Sequence, residues 1–480
     1  MARRGGRRGR AALVGLLVVM AGCTGGTEDA DSNENPNGLV VEVISSRPEY
    51  VTGGDALVAV TLPDGVEAGD VEIEVGGDSR TASFAPDPEH AGRLLGLVSD
   101  LPEGESEITA RAGDARARLT VIDHPVSGPL FAGEQLDLFA CTTESFGLAA
   151  STPDQGCAAP TEVTWQYVDA AGARHDLADP TAPPADAATV TVGARVLPFV
   201  IRTETGVINR SVYQVSALDP APDPSGGTVD TSAWNRRLVY RFGGGCGVSF
   251  TQGFSLLDPP SLQLLGEGYV MATATFNTFQ VMCNDMLSAE TMAMVKEHVV
   301  ETWGEPVHTI GEGGSGGAIQ QLLIAQDYPG LLDGIAPLVP FPDALSVSGG
   351  VYDCALLTRY YGTPAGAGLT PAQRTAINGH AAPDTCGLWI TTFASGIDPR
   401  RGCLTDFSGF GAGGAVPFPT VTPDAVYDPV TNPHGWRCTV WDANVAVTGR
   451  DPETGFARSG YDNEGIQYGL DALNAGVITP

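Results

Sequence analysis

The stretch Gly313-Gly314-Ser315-Gly316-Gly317 decides the fold of this chain of 480 residues. It follows a short apolar run at 307–310 and precedes a helical pattern at 318–325. A serine between glycines at a strand-to-helix turn is typical of a nucleophile elbow, because the strained backbone leaves little room for neighbouring side chains. The turn places the serine hydroxyl beside the first free N–H groups of a helix, which stabilise an oxyanion. We predict that Ser315 is a nucleophile and that Gly316 contributes to an oxyanion hole.

Strands and helices alternate around this turn. Runs rich in β-forming residues lie at 237–242, 269–276 and 334–339. An amphipathic helix with Ser288 as its N-cap is expected to end before Gly304. This alternation predicts a mostly parallel sheet with helices on both faces.

A second glycine cluster, Gly243-Gly244-Gly245, follows the strand at 237–242. In α/β-hydrolases a glycine-rich loop after an early strand supplies the other N–H of the oxyanion hole, so Gly243 or Gly244 is the expected donor. The alternative is a flexible connection. Two glycine clusters in this order predict an α/β-hydrolase core at 124–346, with an inserted cap or lid at 347–480.

The amino terminus predicts export. Five arginines precede an apolar stretch too short to span a bilayer, which is typical of a signal peptide at 1–22. The small residues before Cys23 resemble a bacterial lipobox, so we expect acylation of Cys23 and a flexible tether at 23–37. The chain would then reach the membrane through its lipid anchor only. The alternative is an ordinary secretory signal, which also implies export.

Eight cysteines remain after Cys23, and an even number in an exported chain favours disulfide bonds. They are Cys141, Cys157, Cys246, Cys283, Cys354, Cys386, Cys403 and Cys438. Sequence alone leaves the pairing open, but Cys246 and Cys283 follow successive strands and are expected to bridge. No spacing is typical of a zinc site, so neither a structural metal nor a cofactor is predicted.

The chain is strongly acidic, with a formal net charge of −31 and a single lysine, Lys296. Such a charge disfavours nucleic acid and anionic membrane surfaces as direct partners. It favours solubility and does not define the reaction.

Residues 38–123 have a different pattern from the rest of the chain. Short alternating segments separated by turn residues predict a small antiparallel β-sandwich of immunoglobulin-like type. The segments are 39–44, 56–60, 71–75, 93–98, 107–110 and 118–122. The expected role is a spacer or a wall against the core, and ligand binding is the alternative.

Several segments beyond the tether carry a resemblance to a known family. They are 124–131, 201–210, Gly316-Gly317 with Gln320-Gln321, 437–439 and 462–470. The chain resembles an uncharacterised family of exported bacterial α/β-hydrolase-like proteins, a domain of unknown function related to tannase and feruloyl esterase. The resemblance implies a serine hydrolase fold. In tannases a cysteine tends to flank the nucleophile, whereas Gly314 and Gly316 flank Ser315 here, which counts against tannin specificity.

The acid and base of a triad are harder to place. The α/β-hydrolase order is Ser, acid, His, and only His380 and His434 follow Ser315. Asp343 is a candidate acid and His434 a candidate base; a turn role is the alternative for His434, and His380 lies at a helix end. Asp428 and Asp442 are weaker candidates for the acid. Either the chain is a truncated form that lacks these groups, or the triad is incomplete.

These patterns together predict an exported serine hydrolase that acts on carboxylic esters through an acyl-enzyme. A small-molecule or polymeric ester is the expected substrate, by analogy with the relatives. One alternative is a noncatalytic surface lipoprotein on a hydrolase scaffold, and another is a serine peptidase of the same fold.

Overall fold

The computed structural model describes residues 38–480, apart from 136–137, 249, 254, 258, 383–384, 398–422, 438 and 462–465. The predicted signal peptide at 1–22, the tether with Cys23, and Cys403 and Cys438 lie outside the described residues. Within the described part, no helix combines the length and the apolar character needed to cross a bilayer.

The described residues form nineteen strands and nine α-helices. The strands are β1 (Val40–Val43), β2 (Val51–Thr52), β3 (Ala56–Thr61), β4 (Val71–Val75), β5 (Asp78–Ser79), β6 (Phe84–Pro86), β7 (Arg93–Val98), β8 (Gly104–Ala112), β9 (Ala115–His124), β10 (Glu162–Val168), β11 (Arg174–Asp176), β12 (Thr189–Val192), β13 (Arg195–Pro198), β14 (Val200–Ile208), β15 (Ser211–Leu218), β16 (Arg237–Gly243), β17 (Val270–Thr278), β18 (His308–Gly314) and β19 (Gly334–Leu338). The helices are α1 (Leu262–Gly266), α2 (Asp285–Trp303), α3 (Gly316–Asp327), α4 (Ala344–Tyr361), α5 (Pro371–Asn378), α6 (Thr385–Phe393), α7 (Val440–Ala443), α8 (Val445–Thr448) and α9 (Leu470–Asn474).

The first nine strands form two sheets, in the orders β1-β3-β7-β6 and β2-β9-β8-β4-β5. Apart from the parallel contact of β2 with β9, the pairings are antiparallel. Alternate residues of these strands, among them Val58, Ile73 and Ile108, are fully buried in a common apolar core. All six strands expected between residues 39 and 122 are present, which confirms antiparallel sheets in this part of the chain.

The main sheet has eight strands in the order β11-β10-β14-β15-β17-β16-β18-β19. Strands β17, β16, β18 and β19 pair in parallel, and β15 joins them through an antiparallel contact with β17. Along β16, Leu238 and Tyr240 pack on the face covered by α2, whereas Val239 packs on the opposite face with Leu265 of α1. This alternation explains why the sheet is covered on both sides.

Strand β19 forms one edge of that sheet among the described residues. Pro337 lies within it and lacks a backbone N–H, which is common on edge strands. Two apolar residues at its end, Leu338 and Val339, are 63% and 73% exposed.

Helix α2 begins earlier than its sequence indicated. Its N-cap is Asn284, whose side chain accepts a hydrogen bond from the Leu287 N–H at 2.9 Å, so the expectation that Ser288 is the cap was wrong. Ser288 is fully buried inside the helix, where its hydroxyl donates to Oε1 of Gln320 at 2.6 Å. Asparagine and serine are both good N-cap residues. Here Ser288 bonds to Gln320 inside the fold, and Asn284 caps the helix.

The two-sheet segment packs against α2. The backbone N–H and the hydroxyl of Thr52 both donate to the carboxyl group of Glu297, which is 1% exposed. At the rim, Arg93 pairs with Glu305 at 3.0 Å. The first nine strands and the main sheet are therefore joined by a buried polar contact with an ion pair beside it.

Three disulfide bonds are present among the described residues. Cys246–Cys283 links the loop after β16 to the loop before α2, which confirms the expected bridge. Cys141–Cys157 closes a loop before β10, and Cys354–Cys386 ties α4 to α6. Several disulfides in one chain are typical of proteins from oxidising, extracytoplasmic compartments.

Candidate active site

Ser315 lies between β18 and α3 in a conformation that is rare for a residue with a side chain. Its φ and ψ angles are 57° and −119°, and its N–H donates to the Leu338 carbonyl at 3.0 Å. Its own carbonyl accepts from the N–H groups of Ala318 and Ile319, which begins the helix. Backbone strain of this kind persists only where the surroundings enforce it, and it is concentrated at functional sites.

The glycines of the turn are required by close backbone contacts. A Cβ atom added at Gly316 would lie 2.2 Å from the Gly245 carbonyl oxygen, and one at Gly317 would lie 2.4 Å from that of Phe242. Both distances are far below any normal contact, so only glycine fits at these two positions. The turn and the loop after β16 are thus packed backbone against backbone.

The second glycine cluster reaches the serine through Gly244 and Gly245. A Cβ atom at Gly244 would lie 3.4 Å from the Ser315 Cβ, whereas one at Gly243 would meet Thr278 of the neighbouring strand. Gly243 is the last residue of β16, and its carbonyl accepts from the Phe279 N–H. Of the two expected donors, Gly244 lies against the elbow and Gly243 belongs to the sheet.

Two buried glutamines hold these loops in place. The Gln320 amide donates to the Gly243 carbonyl at 2.9 Å, and the Gln321 amide donates to the Gly313 carbonyl at 3.0 Å. Oε1 of Gln321 also accepts from the Ala336 N–H in β19. In the sequence, this pair stands out only as part of the family resemblance. The signal for its role is two amides on the buried side of the helix after the elbow.

A cavity of about 180 Å³ opens beside Ser315. Its floor is formed by the elbow and the loop after β16. Its walls come from α4 and the residue Phe341 before it, from α6 and the segment that follows it, and from Val440 of α7. The described residues that line it are Gly245, Cys246, Ser315, Gly316, Ile319, Phe341, Ala344, Val347, Ser348, Val351, Leu388, Trp389, Thr392, Phe393, Gly396, Ile397 and Val440. This lining is mostly aliphatic and aromatic.

The candidate acid does not reach the cavity. Asp343 is the N-cap of α4, where one carboxylate oxygen accepts from the Ser346 N–H at 2.6 Å and the other accepts from its hydroxyl at 2.7 Å. Asp428 likewise accepts from two N–H groups of its own turn, and Asp442 bonds to Thr439. The structure therefore places the three aspartates in local caps and turns.

The candidate base, His434, does not line the cavity at Ser315 either. His434 is exposed in a turn, and His380 lies with Nε2 3.7 Å from the Cys354 sulfur. All seven histidines of the chain are among the described residues, and none of them lines the cavity at Ser315. The structure thus brings together Ser315, Gly316 and Gly244, and it does not bring Asp343 or His434 to them.

One histidine does pair closely with a carboxylate, but away from the cavity. Nε2 of His298 in α2 lies 2.6 Å from Oε1 of Glu204 in β14, and Tyr213 and Arg202 also bond to that carboxylate. Burial alone would raise the pKa of Glu204, but the hydrogen bonds from His298 and Tyr213 and the charge of Arg202 lower it to about 2. This network fastens β14 to α2.

One cluster has the residue types of a metal site. The side-chain ligand atoms of Cys354, His380 and Cys386 lie within 4.8 Å of one another, and this is the one such group found in the described part of the chain. The two sulfurs are joined in a disulfide, so neither offers a thiolate to a metal ion. The cluster is a structural bridge with a histidine beside it.

Distant similarity to solved structures accompanies this geometry. Feruloyl esterase B from Aspergillus oryzae shares 16% identity with a TM-score of 0.27, over 45% of this chain and 40% of that one. Tannin acyl hydrolase from Aspergillus niger shares 13% with a TM-score of 0.26, over 49% and 42%, and an esterase from Aspergillus oryzae shares 14% with a TM-score of 0.24, over 40% and 39%. The match thus spans about two fifths of each of these structures. Comparison with curated proteins found no match.

A family model gives the assignment. The model of a tannase-like family of unknown function matches residues 41–480, which is most of the chain and includes both the two-sheet segment and the elbow. This match confirms the family resemblance that the sequence motifs indicated. The chain belongs to the tannase-like family DUF6351.

Proposed function

We propose that the protein is an exported serine hydrolase of carboxylic esters, with an α/β-hydrolase core at 124–346 and a lid at 347–480. The conformation of Ser315 carries the proposal, because φ and ψ of 57° and −119° hold the serine at the floor of a cavity. The similarity to the tannase-like family supports an ester substrate. The immunoglobulin-like classification of 38–123 and the lipid anchor at Cys23 belong to the same proposal.

The turn supplies the nucleophile and the oxyanion donors that acyl transfer needs. The Ser315 hydroxyl attacks the ester carbonyl, and the resulting oxyanion is held by the N–H groups of Gly316 and Gly244. Gly316 is the first residue of α3, so its N–H has no acceptor within the helix. The bond between the acyl carbon and the alcohol oxygen then breaks, and that oxygen takes up the proton that Ser315 gave up. Water attacks the acyl-enzyme, the acid is released, and a proton of that water restores the Ser315 hydroxyl.

A noncatalytic role is the second candidate, and a specific observation favours it. None of the seven histidines lines the cavity with Ser315, and the described lining residues include no carboxylate. A serine without a base loses several orders of magnitude in rate. The cavity would then bind an apolar ligand without turning it over.

The test is labelling with a fluorophosphonate, read by intact mass. We expect one adduct on the wild-type chain and none on Ser315→Ala. Ser348→Ala is the matched control, because Ser348 lines the same cavity but its hydroxyl donates to the Ala344 carbonyl at 2.6 Å. This control should retain the adduct.

Each outcome decides between the candidates. Loss of the adduct in Ser315→Ala alone supports the hydrolase, and subsequent cleavage of esters but not peptide amides separates an esterase from a peptidase. No adduct on a folded wild-type chain contradicts the hydrolase proposal and favours a binding role. Loss in Ser348→Ala instead would assign the reactive hydroxyl to Ser348.

A further inference from the structure

The lining of the Ser315 cavity has a chemistry that restricts what it accepts. Its described walls carry no charged side chain, and their side-chain polar groups are the hydroxyls of Ser315, Ser348 and Thr392 and the indole N–H of Trp389. Ser348 already donates to the Ala344 carbonyl. The rest of the lining is mostly apolar and includes the aromatic ring of Phe393 and several aliphatic side chains.

The size of the cavity sets the second limit. A volume of about 180 Å³ is close to that of an apolar cavity of about 150 Å³ known to hold benzene. A single aromatic ring or a short alkyl chain fits such a space. Apolar pockets with few polar groups bind ligands by burying hydrocarbon and orient them with those few polar groups.

A polyhydroxylated aromatic ring should bind this cavity more weakly than an unhydroxylated ring of the same size. Each phenolic hydroxyl would lose its bonds to water, and the walls offer few partners to replace them. One buried hydroxyl without a partner weakens binding about fivefold or more. The wall chemistry therefore separates ligands of the same size by their hydroxyl content.

From these observations we propose that the cavity binds an uncharged apolar group of the substrate, either an unhydroxylated aromatic ring or a short alkyl chain. The identification of that group as part of an ester rests on the proposed function of Ser315. The preference for hydrocarbon over a hydroxylated ring follows from the walls, and it holds for a binding protein as well as for an enzyme.

Binding is tested with Ser315→Ala, so that no reaction occurs. The probes are methyl benzoate, methyl hexanoate and methyl 3,4,5-trihydroxybenzoate, titrated by calorimetry. We expect the first two to bind and the trihydroxy ester to bind at least tenfold more weakly. Equal or tighter binding of the trihydroxy ester, or no binding of the two apolar esters, would overturn the proposal.

Two neighbouring threonines of α6 locate the binding site. Thr392 lines the cavity, whereas Thr391 is exposed and lies outside the lining. Added to Ser315→Ala, Thr392→Asp should weaken binding of methyl benzoate at least tenfold, because it places a carboxylate against the ring, and Thr391→Asp should not change it. Val347→Trp, which fills the space without adding a charge, should weaken binding as Thr392→Asp does. Equal affinities in all three variants would place the ligand elsewhere.

The labelling tests the proposed hydrolase, and the titration separately tests the proposed ligand of the cavity. Apolar binding without a fluorophosphonate adduct would keep the cavity assignment and reject the hydrolase. An adduct without apolar binding would keep the hydrolase and reject the substrate class.

Discussion

Backbone contact, rather than side-chain packing, maintains the turn at Ser315. Gly316 and Gly317 allow α3 to approach the loop after β16 more closely than any other residue would, and Gln320 fastens the two together. The serine is held in its strained conformation by this contact. The stability of the turn and the position of the hydroxyl are therefore linked.

Replacing Gly317 by alanine should test that link. A Cβ atom there meets the Phe242 carbonyl oxygen at 2.4 Å, so we expect a loss of about 1–3 kcal/mol in the free energy of unfolding, with loss of labelling at Ser315. The matched control is Gly350→Ala in α4, where no atom lies within 4 Å. Alanine in an open helix position should raise the free energy of unfolding by about 0.5–1 kcal/mol. Urea unfolding of both variants measures the difference, and equal effects would refute the contact argument.

At the residue scale, the turn at Ser315 was predictable because neighbouring backbone lies so close that glycines are required, and the pattern of glycines is visible in the sequence. The oxyanion role expected of the nearby glycines stays a prediction. The use of Asp343 was not visible, because capping by Asp and catalysis by Asp leave the same letter in the sequence. Only the bonds to Ser346 show which role its carboxylate has.

At the scale of elements, the cavity depends on how α4 is held against α6. Both helices contribute lining residues, and the Cys354–Cys386 disulfide joins them. We infer that the bridge helps to maintain the spacing of the two walls.

Removing that bridge should affect both stability and binding. The double variant Cys354→Ala/Cys386→Ala opens a loop with a sequence separation of 32, and we expect a loss of up to about 3–4 kcal/mol together with weaker binding of methyl benzoate. The control is Cys141→Ala/Cys157→Ala, whose bridge does not line the cavity. It should lower the melting temperature but leave the affinity unchanged. Unchanged affinity in both variants would show that packing alone sets the walls.

The elements themselves were only partly predictable. The parallel strands around the elbow were found because each is a compact apolar run bounded by glycine. Strands β10, β14 and β15 were not assigned, although they make up much of the main sheet. Their polar positions, such as Arg202 and Glu204, look like surface residues in the sequence but are buried in an ion-pair network that only the fold reveals.

At the scale of the whole molecule, the two-sheet segment is joined to the main sheet through carboxyl groups. Burial raises the pKa of Glu297, and burial together with the Glu297 charge raises the pKa of Glu301. Asp123 on β9 and Asp55 also face this site and add to the repulsion. The junction is therefore most favourable when the pair is protonated.

The stability of the protein should decrease as the pH rises, because the pKa of Glu297 is raised in the folded state. A carboxyl whose pKa is higher in the folded state contributes stability that is fully present below the unfolded-state pKa, about 4.3 for Glu, and is lost as pH rises through the folded value. Glu297→Gln removes one of the two titrating groups. Between pH 5 and 8 the free energy of unfolding of this variant should therefore fall less than that of the wild type, by at least about 1 kcal/mol. Melting temperatures across this range measure it. Glu72→Gln, at an exposed position of β4, is the control, and parallel curves for all three proteins would contradict the assignment.

The edge strand β19 has a consequence for handling the protein in solution. Among the residues that the structure describes, no strand pairs with the outer edge of β19, and this edge with the exposed Leu338 and Val339 is a surface on which copies of the chain can adhere. The net charge of −31 opposes such adhesion through mutual repulsion. Added salt shortens the range of that repulsion to about 8 Å at physiological ionic strength. The protein is thus expected to remain dispersed in dilute buffer and to self-associate as ionic strength rises, with Pro337 limiting how far the edges can pair.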